Sequence, residues 1–121
     1  MSLKSFFWWV PFGSVPEIST EKLSSLMDEF GDDVHLLDVR TPKEWNDGHI
    51  KGAINVPVGE FSTKVSSLNL NGDKPIVAIC LSAHRSIPAV RVLLKNGFKN
   101  AVQLEGGMKA WRAANGPEVK R

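Results

Sequence analysis

The sequence predicts an α/β domain whose parallel sheet is covered by helices on both faces. Short strand-like runs alternate with helical patterns from Ser19 to Trp111, and such alternation implies βα units. Pro75-Ile76-Val77-Ala78-Ile79-Cys80 is continuously apolar, as a strand buried on both faces must be. After five intervening residues the chain enters Ser86–Leu94, where Ala89, Val90, Leu93 and Leu94 repeat at helical spacing.

Each element follows from local chemistry. Ser19 or Thr20 can cap a helix in which Leu23, Leu26, Met27 and Phe30 share one face, with Gly31 ending it. Val34–Val39 reads as a strand. Thr41-Pro42-Lys43-Glu44 has the capping-box pattern with proline at the first helical position, and Gly48 closes that short helix. Ala53–Val56 reads as a brief strand stopped by Pro57. Phe61–Leu70 is expected to be helical, although Ser62, Thr63, Ser66 and Ser67 weaken it, and Asn71-Gly72-Asp73 is a turn. Ser86 is expected to cap the next helix, Pro88 is tolerated in its first turn, and Gly97 stops it. Ala101–Leu104 is a further strand, and Gly106-Gly107 turns into a last helix carrying Met108 and Trp111.

Composition narrows the function. The chain has 121 residues, enough for one domain with one core, and it is 42% hydrophobic and 23% charged, as ordinary globular proteins are. A net charge of +2 without a clustered basic stripe gives no footprint for nucleic acid. No apolar run approaches the roughly 20 residues that span a bilayer. The single cysteine excludes an internal disulfide, so the fold needs no oxidising compartment and a cytoplasmic location is expected. Three histidines and one cysteine offer no recognisable metal spacing, and no cofactor is expected. Phe6-Phe7-Trp8-Trp9-Val10-Pro11-Phe12 stands apart: five of its seven residues are aromatic. It is interrupted by proline and lacks the cleavage site of a signal peptide. We read residues 1–15 as an arm preceding a domain at 16–121. Its rings can pack over the domain's own surface, or serve self-association or membrane contact.

In parallel α/β sheets, ligands sit beyond the carboxyl ends of the strands. The loop that begins at Cys80 would lie there, between a buried strand and a helix N-terminus. Backbone N–H groups from Leu81, Ser82, Ala83, His84, Arg85 and Ser86 could point at one spot, with Arg85 beside them. Such a cradle would favour a thiolate at Cys80 and hold an anion above it.

Three blocks together resemble the rhodanese family. The first is Asp38-Val39-Arg40 with Glu44-Trp45 and Gly48-His49-Ile50-Lys51-Gly52-Ala53-Ile54-Asn55-Val56-Pro57. The second is Cys80-Leu81-Ser82-Ala83-His84-Arg85-Ser86. The third is Gly97-Phe98, Leu104-Glu105-Gly106-Gly107-Met108 and Ala110-Trp111. They run in order from about Pro16 to Gly116, so the aromatic arm lies outside the resemblance. The resemblance implies a central, mostly parallel five-stranded sheet and sulfur transfer through a cysteine persulfide. Cys80 would take the outer sulfur of a thiosulfate-like donor and pass it to a thiol, cyanide or protein acceptor.

Arg85 offers a permanent cation and a fork suited to the donor's sulfonate end. Ser86 could bond the loop or the sulfur, or act as the helix cap. His84 is four residues after the cysteine, but neighbouring loop positions point apart, so it reads as a rim histidine in preference to a general base. His49, Asp38 and Arg40 are expected to support the site from behind, with Arg40 and Glu44 close enough to pair. Ala83 departs from the glycine common in the family's loop; a left-handed backbone there would be strained. Two other classes compete. One is a sulfur-carrying or protein-binding module with little turnover on small donors. The other is a cysteine-based phosphatase or arsenate reductase, whose loops are a residue longer between cysteine and arginine.

Overall fold

The computed structural model describes residues 14–120, so the readings attached to Phe6–Phe12 lie outside it. Five strands form one sheet: β1 (Glu17–Ile18), β2 (His35–Asp38), β3 (Ile54–Asn55), β4 (Ile76–Ile79) and β5 (Ala101–Leu104). Their order is β1-β5-β4-β2-β3, and every neighbouring pair is parallel. The helices are α1 (Thr20–Phe30), α2 (Pro42–Asp47), α3 (Val58–Lys64), α4 (Ser86–Lys95) and α5 (Gly107–Ala113). The expected α/β architecture is the observed one.

Alternation along β4 divides the core into two layers. Ile76, Ala78 and Cys80 join Phe61 and Val65 near α3 and Ala89, Val90 and Leu93 of α4. Val77 and Ile79 face the other way, onto Leu23 of α1 and Met108 and Trp111 of α5. All four β4 residues are fully buried, which explains the unbroken apolar run. Hydrogen bonds on both sides also make β4 the sheet's centre, so the residue leaving its carboxyl end is held on all sides.

The caps are mostly those the sequence announces. Ser19 Oγ accepts the Lys22 N–H at 3.1 Å, and Gly31 ends α1. Thr41 and Glu44 form the reciprocal capping box around Pro42. Three local readings change. The expected helix over 61–70 instead starts at Val58, because Pro57 sets the turn and the Val58 N–H is drawn to the Val39 carbonyl at 3.0 Å. It tightens into a 3₁₀ turn at Val65–Ser67, where Ser67 Oγ bonds back to the Lys64 carbonyl. Ser86 is not the cap of α4: Arg85 occupies that position with helical backbone and no side-chain cap, and Ser86 is the first helical residue. The two-residue strand β1 is an element the pattern did not announce. It exists through pairing with β5, the Gln103 N–H reaching the Pro16 carbonyl and the Glu105 N–H reaching Ile18, each at 2.9 Å.

The C-terminal tail folds back over this scaffold. His49 and Val119 exchange both backbone hydrogen bonds at 2.8 Å, and Trp111 Nε1–H donates to the Pro117 carbonyl. Arg112 grips Glu118 through two N–H groups, at 3.0 and 2.9 Å, drawing the Glu118 carboxyl below its usual range. No helix among the described residues is long and apolar enough to cross a membrane.

Candidate active site

Cys80 follows β4 directly and is 1% exposed, so its sulfur lies on the floor of the loop that follows it. Two contacts define that floor. The His84 backbone N–H donates to Cys80 Sγ at 3.1 Å, and Ser86 Oγ lies 3.4 Å from the sulfur. The first is the kind of bond that supports a thiolate, since a backbone donor aimed at sulfur strengthens as the sulfur becomes an anion. The chain between them curls tightly enough for the Ile87 N–H to bond the His84 carbonyl at 3.2 Å.

The curl passes through Ala83 at φ +64°, the left-handed conformation in which a residue other than glycine is strained. An L-residue there is strained by roughly 1–2 kcal/mol, while glycine in its place would add about 0.5–1 kcal/mol of unfolded-chain entropy. Ala83→Gly should therefore stabilise the protein by about 0.5–1 kcal/mol in urea unfolding. A loss of stability in that measurement would show that the methyl contributes more in packing than it costs in strain.

The loop is anchored at both ends. At its start, the Met108 and Lys109 N–H groups of α5 bond the Cys80 and Leu81 carbonyls at 2.8 and 2.9 Å. This close approach needs Gly107: a Cβ there would lie 2.7 Å from the Leu81 oxygen and nearer still to that of Cys80. The Leu81 side chain packs against the α1/α5 layer, so its contribution to the loop is an apolar anchor. At the far end, Arg85 Nη1 and Nη2 clamp Glu44 Oε1 and Oε2 at 2.6 and 2.9 Å. Glu44 Oε1 also closes the capping box on Thr41, so one carboxylate ties the loop to the start of α2. The Arg85 guanidinium, aided by Thr41 against the penalty of partial burial, holds the Glu44 carboxyl at about 2. The clamp's contribution is therefore complete above about pH 4.5 and fades as the pH falls toward 2.

These contacts correct two expectations. The Arg85 fork is not wholly free for a ligand, because Glu44 already takes one N–H from each terminal nitrogen. Glu44 does not pair with Arg40 either. Arg40 turns inward to Asp38, with Nε–Oδ1 at 2.9 Å and Nη2–Oδ2 at 2.7 Å, and Nη2 also bonds the Gly48 carbonyl at 2.7 Å. Both side chains of this ion pair are essentially inaccessible to water. It fixes the end of β2 to the segment leading into His49. The His49 ring stacks on Trp45 with centroids 3.8 Å apart, and its Nδ1–H donates to the Trp45 carbonyl. That carbonyl can only accept, so the ring is a structural donor.

His84 faces solvent. Its side chain is exposed and its Nδ1 lies 3.1 Å from Ser82 Oγ, so the residue serves Cys80 through its backbone. Gln103 and Glu17 are the polar residues that sequence reasoning missed. Gln103 is buried in β5, where its Oε1 accepts the Ser86 hydroxyl at 2.6 Å and its Nε2 donates to Glu17 at 2.8 Å. A polar side chain inside an otherwise apolar strand was the available signal. Among the described residues no group of three or more His, Cys, Asp or Glu side chains could hold a metal ion.

A cysteine sulfur thus lies under a tight loop at the carboxyl end of the central strand of a parallel sheet. The family model described as Rhodanese-like domain matches residues 19–114. The chain belongs to the rhodanese-like domain family. The thiosulfate sulfurtransferase GlpE of Shewanella oneidensis is 32% identical over 82 residues, 68% of this chain and 79% of its own. A sulfurtransferase of Allochromatium vinosum is 34% identical over 97 residues, 80% of this chain and 88% of its own. A rhodanese-related protein from Thermoplasma volcanium superposes with a TM-score of 0.77 at 32% identity, covering 88% of this chain and all of that one. Some relatives are longer: the chain spans 51% of YrkF of Bacillus subtilis, named as a candidate sulfur carrier, at 37% identity.

Proposed function

We propose that the protein moves sulfane sulfur from a thiosulfate-like donor to a thiophilic acceptor through a persulfide on Cys80. The observation that carries this reading is the Cys80 sulfur itself, held under the loop with a backbone N–H aimed at it. In the first step the Cys80 thiolate attacks the outer sulfur of thiosulfate. A new S–S bond forms, the donor's S–S bond breaks, and sulfite leaves with its electron pair. In the second step the acceptor, a thiolate or cyanide, attacks the outer sulfur of the persulfide and the Cys80 thiolate leaves. The His84 N–H steadies whichever sulfur anion is present at Cys80. With no second cysteine in the chain, release of the sulfur depends on an outside acceptor.

Arg85 serves the donor through the N–H groups that Glu44 leaves unused, and holds the loop through those it takes. Because Glu44 offsets its charge, Arg85→Ala should lower efficiency with thiosulfate by about 10-fold, the lower end for a charge-assisted contact. An uncharged sulfane donor should lose less. Equal losses with both donors would assign Arg85 to the loop alone. The loop's length favours sulfur over phosphoryl chemistry: four residues separate Cys80 from Arg85, one fewer than the phosphatase-type loops hold. The arm-and-domain division at residue 16 is supported by β1 starting at Glu17.

Thiocyanate formation from thiosulfate and cyanide tests the reading directly. Turnover that disappears with Cys80→Ser supports the transferase. A sulfur adduct on Cys80 without turnover would favour the carrier reading, for which the resemblance to YrkF speaks.

A further inference from the structure

Cys80, Ser86, Gln103 and Glu17 form a continuous hydrogen-bonded chain from the reactive sulfur to the edge of the sheet. The register builds it. Gln103 of β5 stands beside Glu17 of β1 on one side and Ala78 of β4 on the other, and Ala78 shares a face with Cys80. Ser86, the first residue of α4, is fully buried against this row.

The direction of each bond is fixed by the outer end. A carboxylate oxygen only accepts, so Glu17 Oε2 at 2.8 Å requires the Gln103 Nε2–H₂ end to face outward. Gln103 Oε1 then faces inward and takes the hydroxyl proton of Ser86 at 2.6 Å. Serine has one proton to give. With that proton committed, Ser86 Oγ presents a lone pair to Cys80 Sγ at 3.4 Å: it accepts from the thiol S–H and has nothing to donate to a thiolate. On the loop side the His84 N–H does the opposite. Arg85, the cation that senses the sulfur, is already paired with Glu44.

We propose that Glu17 is a positioning residue that holds Cys80 toward its thiol form by orienting Gln103 and, through it, the Ser86 hydroxyl. The inference deepens the proposed function, since it sets how readily the nucleophile is available. Glu17→Gln brings in an amide that can donate as well as accept. It would let the Gln103 amide turn over, donate to Ser86 Oγ, and release the serine proton to the sulfur anion. Glu17 is exposed on an edge strand, so the near-isosteric exchange leaves the core untouched.

The test is alkylation of Cys80 by iodoacetamide across pH in the full chain. A hydrogen bond gained by the thiolate is charge-assisted and corresponds to about a 10-fold change. Glu17→Gln is therefore expected to raise the alkylation rate at neutral pH by about that factor and move the pH–rate midpoint downward. In a Ser86→Ala background the same exchange should change nothing, because the relay's last member is gone. An unchanged or slower rate in Glu17→Gln, or a gain that survives Ser86→Ala, overturns the proposal. Alkylation needs no sulfur donor, so it succeeds or fails independently of whether Cys80 carries a persulfide.

Discussion

Replacing Cys80 with serine is expected to reduce sulfur transfer to background while leaving the fold intact. Serine is smaller than cysteine but keeps a hydrogen-bonding atom where the His84 N–H and Ser86 hydroxyl converge. The cavity left by the exchange is less than that of a methylene, so cooperative unfolding should persist with only a modest loss of stability. The chemistry fares differently. A serine hydroxyl is not ionised at neutral pH and attacks sulfur poorly, and no second cysteine exists to substitute for it. Thiocyanate assays and thermal melts on the same preparation separate the two effects. Retained turnover in a folded Cys80→Ser variant would reject Cys80 as the nucleophile.

The largest effect on stability is expected at Asp38. Its carboxylate is fully buried and holds a buried Arg40 through both oxygens, and Oδ1 also accepts the Arg40 backbone N–H at 3.1 Å. Asp38→Ala leaves a guanidinium in the interior with, among the described residues, the Gly48 carbonyl as its remaining partner. Removing one member of a buried ion pair costs about 3–5 kcal/mol, because the remaining charge stays desolvated. Urea unfolding should register a loss of that size. The double variant Asp38→Ala/Arg40→Met, which removes both charges, should be more stable than Asp38→Ala alone. A single-variant loss below about 1 kcal/mol would mean that Arg40 finds water or another acceptor, and that the pair is not what fixes β2 to the His49 segment.

Elements with strong local signals were legible in the sequence. The capping box at Thr41–Glu44, the apolar run of β4 and the glycine stop of α1 each result from neighbours a few residues apart, and the structure reproduces them. Strain at Ala83 was legible only as a condition, because alanine stands where the resembling loops commonly have glycine, and the structure meets that condition. What escaped was set by contacts distant in sequence. Glu44 has Arg40 four residues away, yet it binds Arg85, 41 residues on, because Arg40 is taken by Asp38. Ser86 has the chemistry of a cap, but the loop around the sulfur carries Arg85 into the cap position and turns the serine inward to Gln103. β1 is two residues long and leaves no period to read; it is defined by its partner strand. Gln103 and Glu17 are 86 positions apart, and only the sheet's register joins them to the site.

The central claim is that Cys80 itself carries the transferred sulfur. Mass spectrometry of the intact protein after incubation with thiosulfate, followed by peptide mapping, tests it without an acceptor or a turnover assay. The account predicts a gain of one sulfur atom, confined to the peptide containing Cys80 and removed by cyanide or a thiol. An unmodified Cys80 after saturating thiosulfate, or an adduct that retains the sulfonate oxygens and resists cyanide, would contradict it.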